Sequence, residues 1–201
     1  MQRALALSCC LSAACALRLT PARLISDPRL TVDAIDPRTA HNYRARCPAE
    51  EPCYWLWATD ERERGAELFA ARQVPPADDP VAALLRLAVR ESGVVPVEQK
   101  QRRDAVGTRL LLSDESVNVW EFRLAAGEAC AYHRHELPYC FVNLTESLTQ
   151  SLRSDGSDDG TEPRLQRAGD AVLVPESGLG AHGVRNVGNG DFLQFVVERK
   201  V

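Results

Sequence analysis

The sequence predicts an all-β barrel or sandwich over residues 94–201, preceded by an N-terminal α-helical extension. Three observations carry this reading. From Val94 onward, short runs rich in Val, Leu, Phe and Tyr recur between turn-forming residues, the pattern of closely spaced strands. Ahead of them, Val81, Leu84, Leu85 and Ala88 fall at i, i+3, i+4 and i+7, the stripe of an amphipathic helix. With 201 residues, 45% of them hydrophobic, the chain is long enough to bury one core and an extra subdomain without a disulfide scaffold.

Residues 1–16 carry one arginine, an apolar run and the small-x-small end Ala14-Cys15-Ala16. That is the layout of a secretory signal peptide, too short for a membrane span. The next ten residues hold Arg18, Arg23, Thr20 and Ser26 with no acid before Asp27, the bias of a transit peptide. The expectation is entry to the secretory pathway, followed by secretion or, if the two segments form one address, delivery to a plastid. Residues 17–57 read as a targeting and extended arm, rich in Asp, Pro and Arg. The arm ends in Tyr54, Trp55 and Trp57, which dock it on the body or offer a ligand platform. His41 reads as a solvated loop residue.

Residues 58–93 read as a helical pair. Thr59 to Gln73 starts with the charged run Glu61 to Arg64 and is stopped by Pro75 and Pro76. Asp78 or Asp79 caps the second helix, Pro80 enters its first turn and Gly93 ends it. Eight strand-like runs follow: Thr108 to Leu112, Ser116 to Leu124, Cys130 to His135, Tyr139 to Leu144, Leu148 to Arg153, Ala171 to Val174, Gly183 to Asn186 and Phe192 to Glu198. Residues 154–163 are a polar hairpin tip whose spacing does not match an EF-hand loop.

The net charge of −4, with basic residues scattered along the chain, excludes a nucleic-acid footprint. No membrane association is expected of the mature form, and a small molecule is the expected partner. Of seven cysteines, Cys9, Cys10 and Cys15 fall in the signal segment. Cys47 and Cys53 bracket a short Pro-containing loop and are either a disulfide or two unrelated thiols.

The chemistry concentrates in two stretches, Gly127 to Tyr139 and Gly169 to Asn186. His133 and His135 at i and i+2 share one face of a strand. His182 is remote in sequence, so only a sheet that folds back would bring it to the other two. Three neutral imidazoles that meet hold a divalent first-row metal at about 2.0–2.2 Å with positions open for water or substrate.

These stretches resemble the two motifs of the cupin superfamily. Gly127, His133 and His135 match the first in order and spacing, and Gly169, Pro175, His182 and Asn186 match the second. The resemblance covers roughly residues 105–200. It implies a double-sheet jelly-roll barrel with a metal inside, so the fold class becomes an all-β jelly-roll (cupin) barrel with an N-terminal α-helical extension. His133, His135 and His182 are the implied ligands. Between Pro175 and His182 this chain carries ESGLGA, which lengthens a loop at the barrel mouth.

One departure changes the expected chemistry. Where the family has a metal-binding glutamate, this chain has Tyr139 or Cys140, and Glu136 points to the wrong face. Three imidazoles with no carboxylate leave a divalent ion at its full charge, a stronger Lewis acid that suits an anionic substrate. That set is similar to the thiol dioxygenases of the superfamily. The expectation is therefore iron(II), with manganese, zinc or nickel as other occupants, in a dioxygenase-like enzyme. A metal-dependent lyase or isomerase, or a non-catalytic ligand-binding cupin, are the alternatives, and a homodimer follows from the resemblance. Tyr139 is the candidate catalytic acid, base or hydrogen-bond donor, or else an aromatic of the barrel wall. Strand alternation turns Cys140 away from Tyr139 and places Asn143 of the Asn-Leu-Thr sequon inside. Asn186 is expected to fix its turn by hydrogen bonding, and Arg185 either to steer an acidic substrate or to be a surface charge.

Overall fold

A computed structural model describes residues 19–39, 53–61, 65–73, 75, 81–90, 106–176 and 180–200. The signal segment, the transit-like residues up to Arg18, His41, Cys47 and the Asp78–Pro80 cap lie outside those residues. Fourteen strands in three sheets make up the described structure, with no α-helix among the described residues.

The C-terminal half follows the expected strands closely. They are β6 (Arg109–Ser113), β7 (Val117–Leu124), β8 (His133–Arg134), β9 (Tyr139–Asn143), β10 (Ser147–Leu152), β11 (Arg164–Gln166), β12 (Ala171–Val174), β13 (Ala181–Asn186) and β14 (Phe192–Arg199). Five of them form one sheet in the order β12-β9-β14-β7-β6, and four form the facing sheet β11-β10-β13-β8. The strand pairings within these two sheets are antiparallel. Only β11, a strand of three residues directly after the polar tip, has no counterpart among the expected strands.

Alternation along the larger sheet sorts its side chains cleanly. Leu193, Phe195 and Val197 of β14, Cys140 and Val142 of β9, and Val117 and Val119 of β7 enter one core cluster. Their sequence neighbours Phe192, Val196, Trp120 and Phe122 enter a second one inside the barrel, against which Tyr139 and Phe141 pack. This is the period-2 rule for a strand with two distinct environments.

The helical extension is not what the structure contains. Residues Ala22–Asp27 (β1), Leu30–Ile35 (β2), Cys53–Glu61 (β3), Gly65–Ala71 (β4) and Val81–Val89 (β5) form a third, antiparallel sheet of order β1-β2-β5-β3-β4. β3 and β4 pair antiparallel as far as Glu61 and Gly65, so the expected helix is replaced there by two strands; Arg62, Glu63 and Arg64 lie outside the described residues. The stripe on β5 divides between two faces. Leu85, Leu87 and Val89 join Tyr54, Leu56 and Val32 against the barrel's outer face, whereas Leu84 and Val81 meet Trp55, Trp57 and Phe69 on the other. A strand buried on both sides reads as a continuous apolar run, and such a run cannot be told from a buried helix by period alone.

The extended arm thus supplies strands, and Tyr54 docks it. The Tyr54 hydroxyl donates to Asp114 Oδ2 at 2.9 Å, and Arg72 bonds the same oxygen at 2.7 Å, tying the N-terminal sheet to the turn between β6 and β7.

Candidate metal centre

The turns that begin both motifs use glycine for its backbone freedom: Gly127 and Gly169 have φ of +81° and +86°, a region in which L side chains are strained. From these turns the motifs are tied to each other. The Gly127 amide donates to the Asn186 carbonyl and the Asn186 amide donates back to Glu128, each at 2.8 Å. Farther along, β8 pairs antiparallel with β13 so that His133 stands directly opposite His182. His135, two residues on, has its ring centroid 5.0 Å from each of the other two, which are 4.7 Å apart.

The three sequence-selected histidines therefore meet. One ring nitrogen from each lies within 4.8 Å of the others. His133 and His135 are buried and His182 is half-buried. The Ala131 carbonyl lies 2.9 Å from His133 Nδ1. A carbonyl can only accept, so this contact puts the proton on Nδ1 and leaves Nε2 with its lone pair. That Nε2 lies 3.2 Å from His135 Nε2. Donors about 2.1 Å from one cation are roughly 3.0–3.4 Å apart for right-angle to tetrahedral geometry, so the spacing suits a shared ion. Burial, and next the charge of His133, push the His182 imidazole down to about 4. It is neutral at physiological pH, the form that ligates a metal.

The double-sheet order, the paired motif glycines and the histidines across β8 and β13 decide the architecture. The C-terminal half of the chain is a double-sheet antiparallel barrel that carries both of the stretches resembling the cupin motifs.

No family model matches the sequence, and no curated protein matches it. Among solved structures, this chain is similar to a cupin domain from Bordetella pertussis at 26% identity, covering 46% of this chain and 91% of that one with a TM-score of 0.39. An RmlC-like cupin from Methanocaldococcus jannaschii is 17% identical over 55% of this chain and 94% of its own, TM-score 0.36. The DMSP lyase of Ruegeria pomeroyi is 21% identical over 43% of this chain and 39% of its own, TM-score 0.32.

Around the three histidines the expected departure is visible. Among the described residues the cluster contains no carboxylate, and Glu136 is exposed. Tyr139 lies flat on the His135 ring, centroids 3.8 Å apart and planes at 12°. Burial, then the charge of Glu198, raise its pKa, so the phenol keeps its proton. Cys140 faces the other side of β9 within the outer core, and burial pushes its thiol up to about 12, which removes it as a thiolate ligand. Cys130 accepts a hydrogen bond from the Val184 amide at 3.2 Å.

The histidines and Tyr139 line a cavity of about 150 Å³, bounded elsewhere by Phe122, Phe141 and Phe192. Three polar residues absent from the sequence reading also line it: Thr149, Gln166 and Gln194. Opposite Tyr139 in the β9–β14 ladder, Glu198, fully buried, accepts from Trp120 Nε1 at 2.9 Å and Asn118 Nδ2 at 3.2 Å. The signal that could have found Gln194 and Glu198 is their parity with Phe192 and Val196 on β14, which puts both on the inward face.

The remaining motif residues are structural. Asn186 is fully buried; its Nδ2 donates to the Leu124 and Gly190 carbonyls, and its Oδ1 accepts from Ser147 Oγ and the Gly188 amide. Arg185 pairs with Asp158 of the polar tip at 2.7 Å, away from any substrate-steering role. Asn143 is fully buried, which precludes glycosylation of its sequon in the folded protein.

Proposed function

We propose that this protein is a metal-dependent cupin enzyme acting on a small molecule, with His133, His135 and His182 as the ligands. The observation that carries the reading is the meeting of three imidazoles, with no carboxylate among the described residues of the cluster, in a cavity walled by aromatic side chains. Iron(II) is the preferred ion, and when bound it supplies a Lewis-acidic centre able to bring an anionic or oxygen-containing group and dioxygen together. The chain's own residues do the rest. The Ala131 carbonyl holds His133 in the tautomer whose Nε2 faces the cavity. Phe122, Phe141 and Phe192 exclude water, and the Tyr139 ring braces His135.

A second reading, a lyase or isomerase that consumes no oxygen, is favoured by one observation. The Tyr139 ring stacks on His135 in the cavity wall, which brings a phenol able to exchange a proton with a bound molecule to the histidine end.

Metal analysis of protein purified without an affinity tag tests the common part. About one divalent ion per chain, lost in His133→Ala and His182→Ala with the fold retained, is the expected result. Metal that stays substoichiometric and is not restored by iron, manganese, zinc or nickel would sink both enzyme readings. Oxygen uptake during a screen of small acids and thiols then separates them, because only the dioxygenase-like reaction draws down oxygen.

A further inference from the structure

The polar residues of the cavity are not scattered. Gln194 Nε2 donates to Asn143 Oδ1 at 2.8 Å, Asn143 Nδ2 donates to Gln166 Oε1 at 3.2 Å, and Gln166 Nε2 donates to Thr149 Oγ1 at 3.0 Å. These bonds run head to tail across both sheets of the barrel, from β14 through β9 and β11 to β10. Asn143, the hub, is fully buried and opposite Gln194 in the β9–β14 ladder. A linked chain of this kind fixes which end of each amide points where. It leaves the Gln194 carbonyl oxygen, its second N–H and the second N–H of Gln166 outside the chain of bonds.

Register separates these groups from the histidines. Tyr139, against His135, opens β9, and Asn143 closes it four residues later. At the rise of an antiparallel strand those positions are about 13 Å apart along the backbone. The cavity therefore has an imidazole end and an amide end with aromatic walls between. Among the described residues no lysine or arginine lines it. A carboxylate at the amide end would lose its hydration and find only amide dipoles in exchange. An uncharged group with a donor and an acceptor side by side would have both satisfied.

We infer that the substrate is a small, largely flat molecule with two unlike ends, whose end remote from the histidines is an uncharged amide, lactam or comparable donor–acceptor edge held by Gln194 and Gln166. The inference rests on the reading of this cavity as the substrate site. It confines any negative charge on the substrate to the histidine end. The volume of about 150 Å³ matches a cavity known to take one benzene ring, which limits the body between the ends to a single ring or its equivalent.

The test uses benzamide and benzoate, probes of one shape that differ in charge at a single group. Their affinities are measured by ligand-observed NMR at pH 7.5 on the full chain, both zinc-loaded and metal-stripped. In the stripped protein benzamide should bind about tenfold more tightly than benzoate. Gln194→Met, which keeps length and removes both polar groups, should bring the ratio close to one. Gln166→Lys, at a half-buried position that tolerates the longer side chain, should reverse it in favour of benzoate. That reversal is a gain that damage to the fold would not produce.

Equal affinities in the unaltered protein, a preference for benzoate, or no binding of either probe at about 10 mM, where a fragment of this size registers, would overturn the inference. So would an unchanged ratio in folded Gln194→Met. Zinc stoichiometry, read on the same samples, keeps the two proposals apart. Benzamide preference without zinc binding removes the metal centre and leaves the amide end, and zinc binding without the preference does the reverse.

Discussion

The two halves of this molecule are built from the same material and use it differently. In the N-terminal sheet, both faces of β5 are apolar and buried. In the barrel, the outer face of the larger sheet packs against the N-terminal sheet, and its inner face combines a second apolar cluster with amides, Glu198 and the cavity. The N-terminal sheet covers what would otherwise be an exposed patch of Val, Leu and Phe on the barrel wall. Covering that wall frees the inner face to hold polar groups that contribute little to the core.

The sharpest way to break the comparison is to weaken the layer the halves share. Phe195, buried between the N-terminal sheet and the barrel, should cost about 3–5 kcal/mol when replaced by alanine, seen as a lower urea midpoint for both halves together. Two separate transitions would mean that the sheets fold independently. Next in size is Asn186→Ala, which strips hydrogen bonds from the Leu124 carbonyl and Ser147 inside the barrel. Leaving those buried groups unmet should cost about 2–4 kcal/mol, read by the same denaturation.

A smaller effect separates the halves by pH. In the unfolded chain the His182 imidazole takes up a proton at its ordinary value of 6.5, while in the folded protein it does so only at about 4. Between those values the unfolded state binds more protons. The contribution of His182 is therefore fully present above pH 6.5, falls as the pH drops, and is lost below about 4. For a half-buried group the loss should be about 1–3 kcal/mol. It is measured as the difference between metal-stripped protein and His182→Asn across pH 4–7, and a flat difference would contradict the shift. The smallest effect is expected of Arg185→Ala, whose ion pair with Asp158 is solvent-exposed; it should change stability by about 0–1 kcal/mol and leave metal content untouched.

The contrast also explains what could be read from the chain. The barrel was legible because its signals are local. Gly127 and Gly169 mark turns that only glycine enters easily, His133 and His135 have strand spacing, and Cys140 and Asn143 followed from alternation along β9. The N-terminal sheet was misread because β5, ValAlaAlaLeuLeuArgLeuAlaVal, combines good helix formers with burial on both faces, so the alternation that marks a strand never appears. The amide chain was missed for a different reason. Asn143, Gln166, Gln194 and Thr149 lie on four strands, and no spacing along one segment shows that they touch.

The pairing of His133 with His182 has a temporal meaning as well. β8 and β13 are joined by no hairpin; β9 to β12 lie between them in the chain, so their pairing closes a long loop. A one-residue slip in that pairing would turn His182 outward. The trio of rings is thus assembled only when the barrel closes in correct alignment, so uptake of a spectroscopically visible ion such as cobalt(II) would time that closure during refolding.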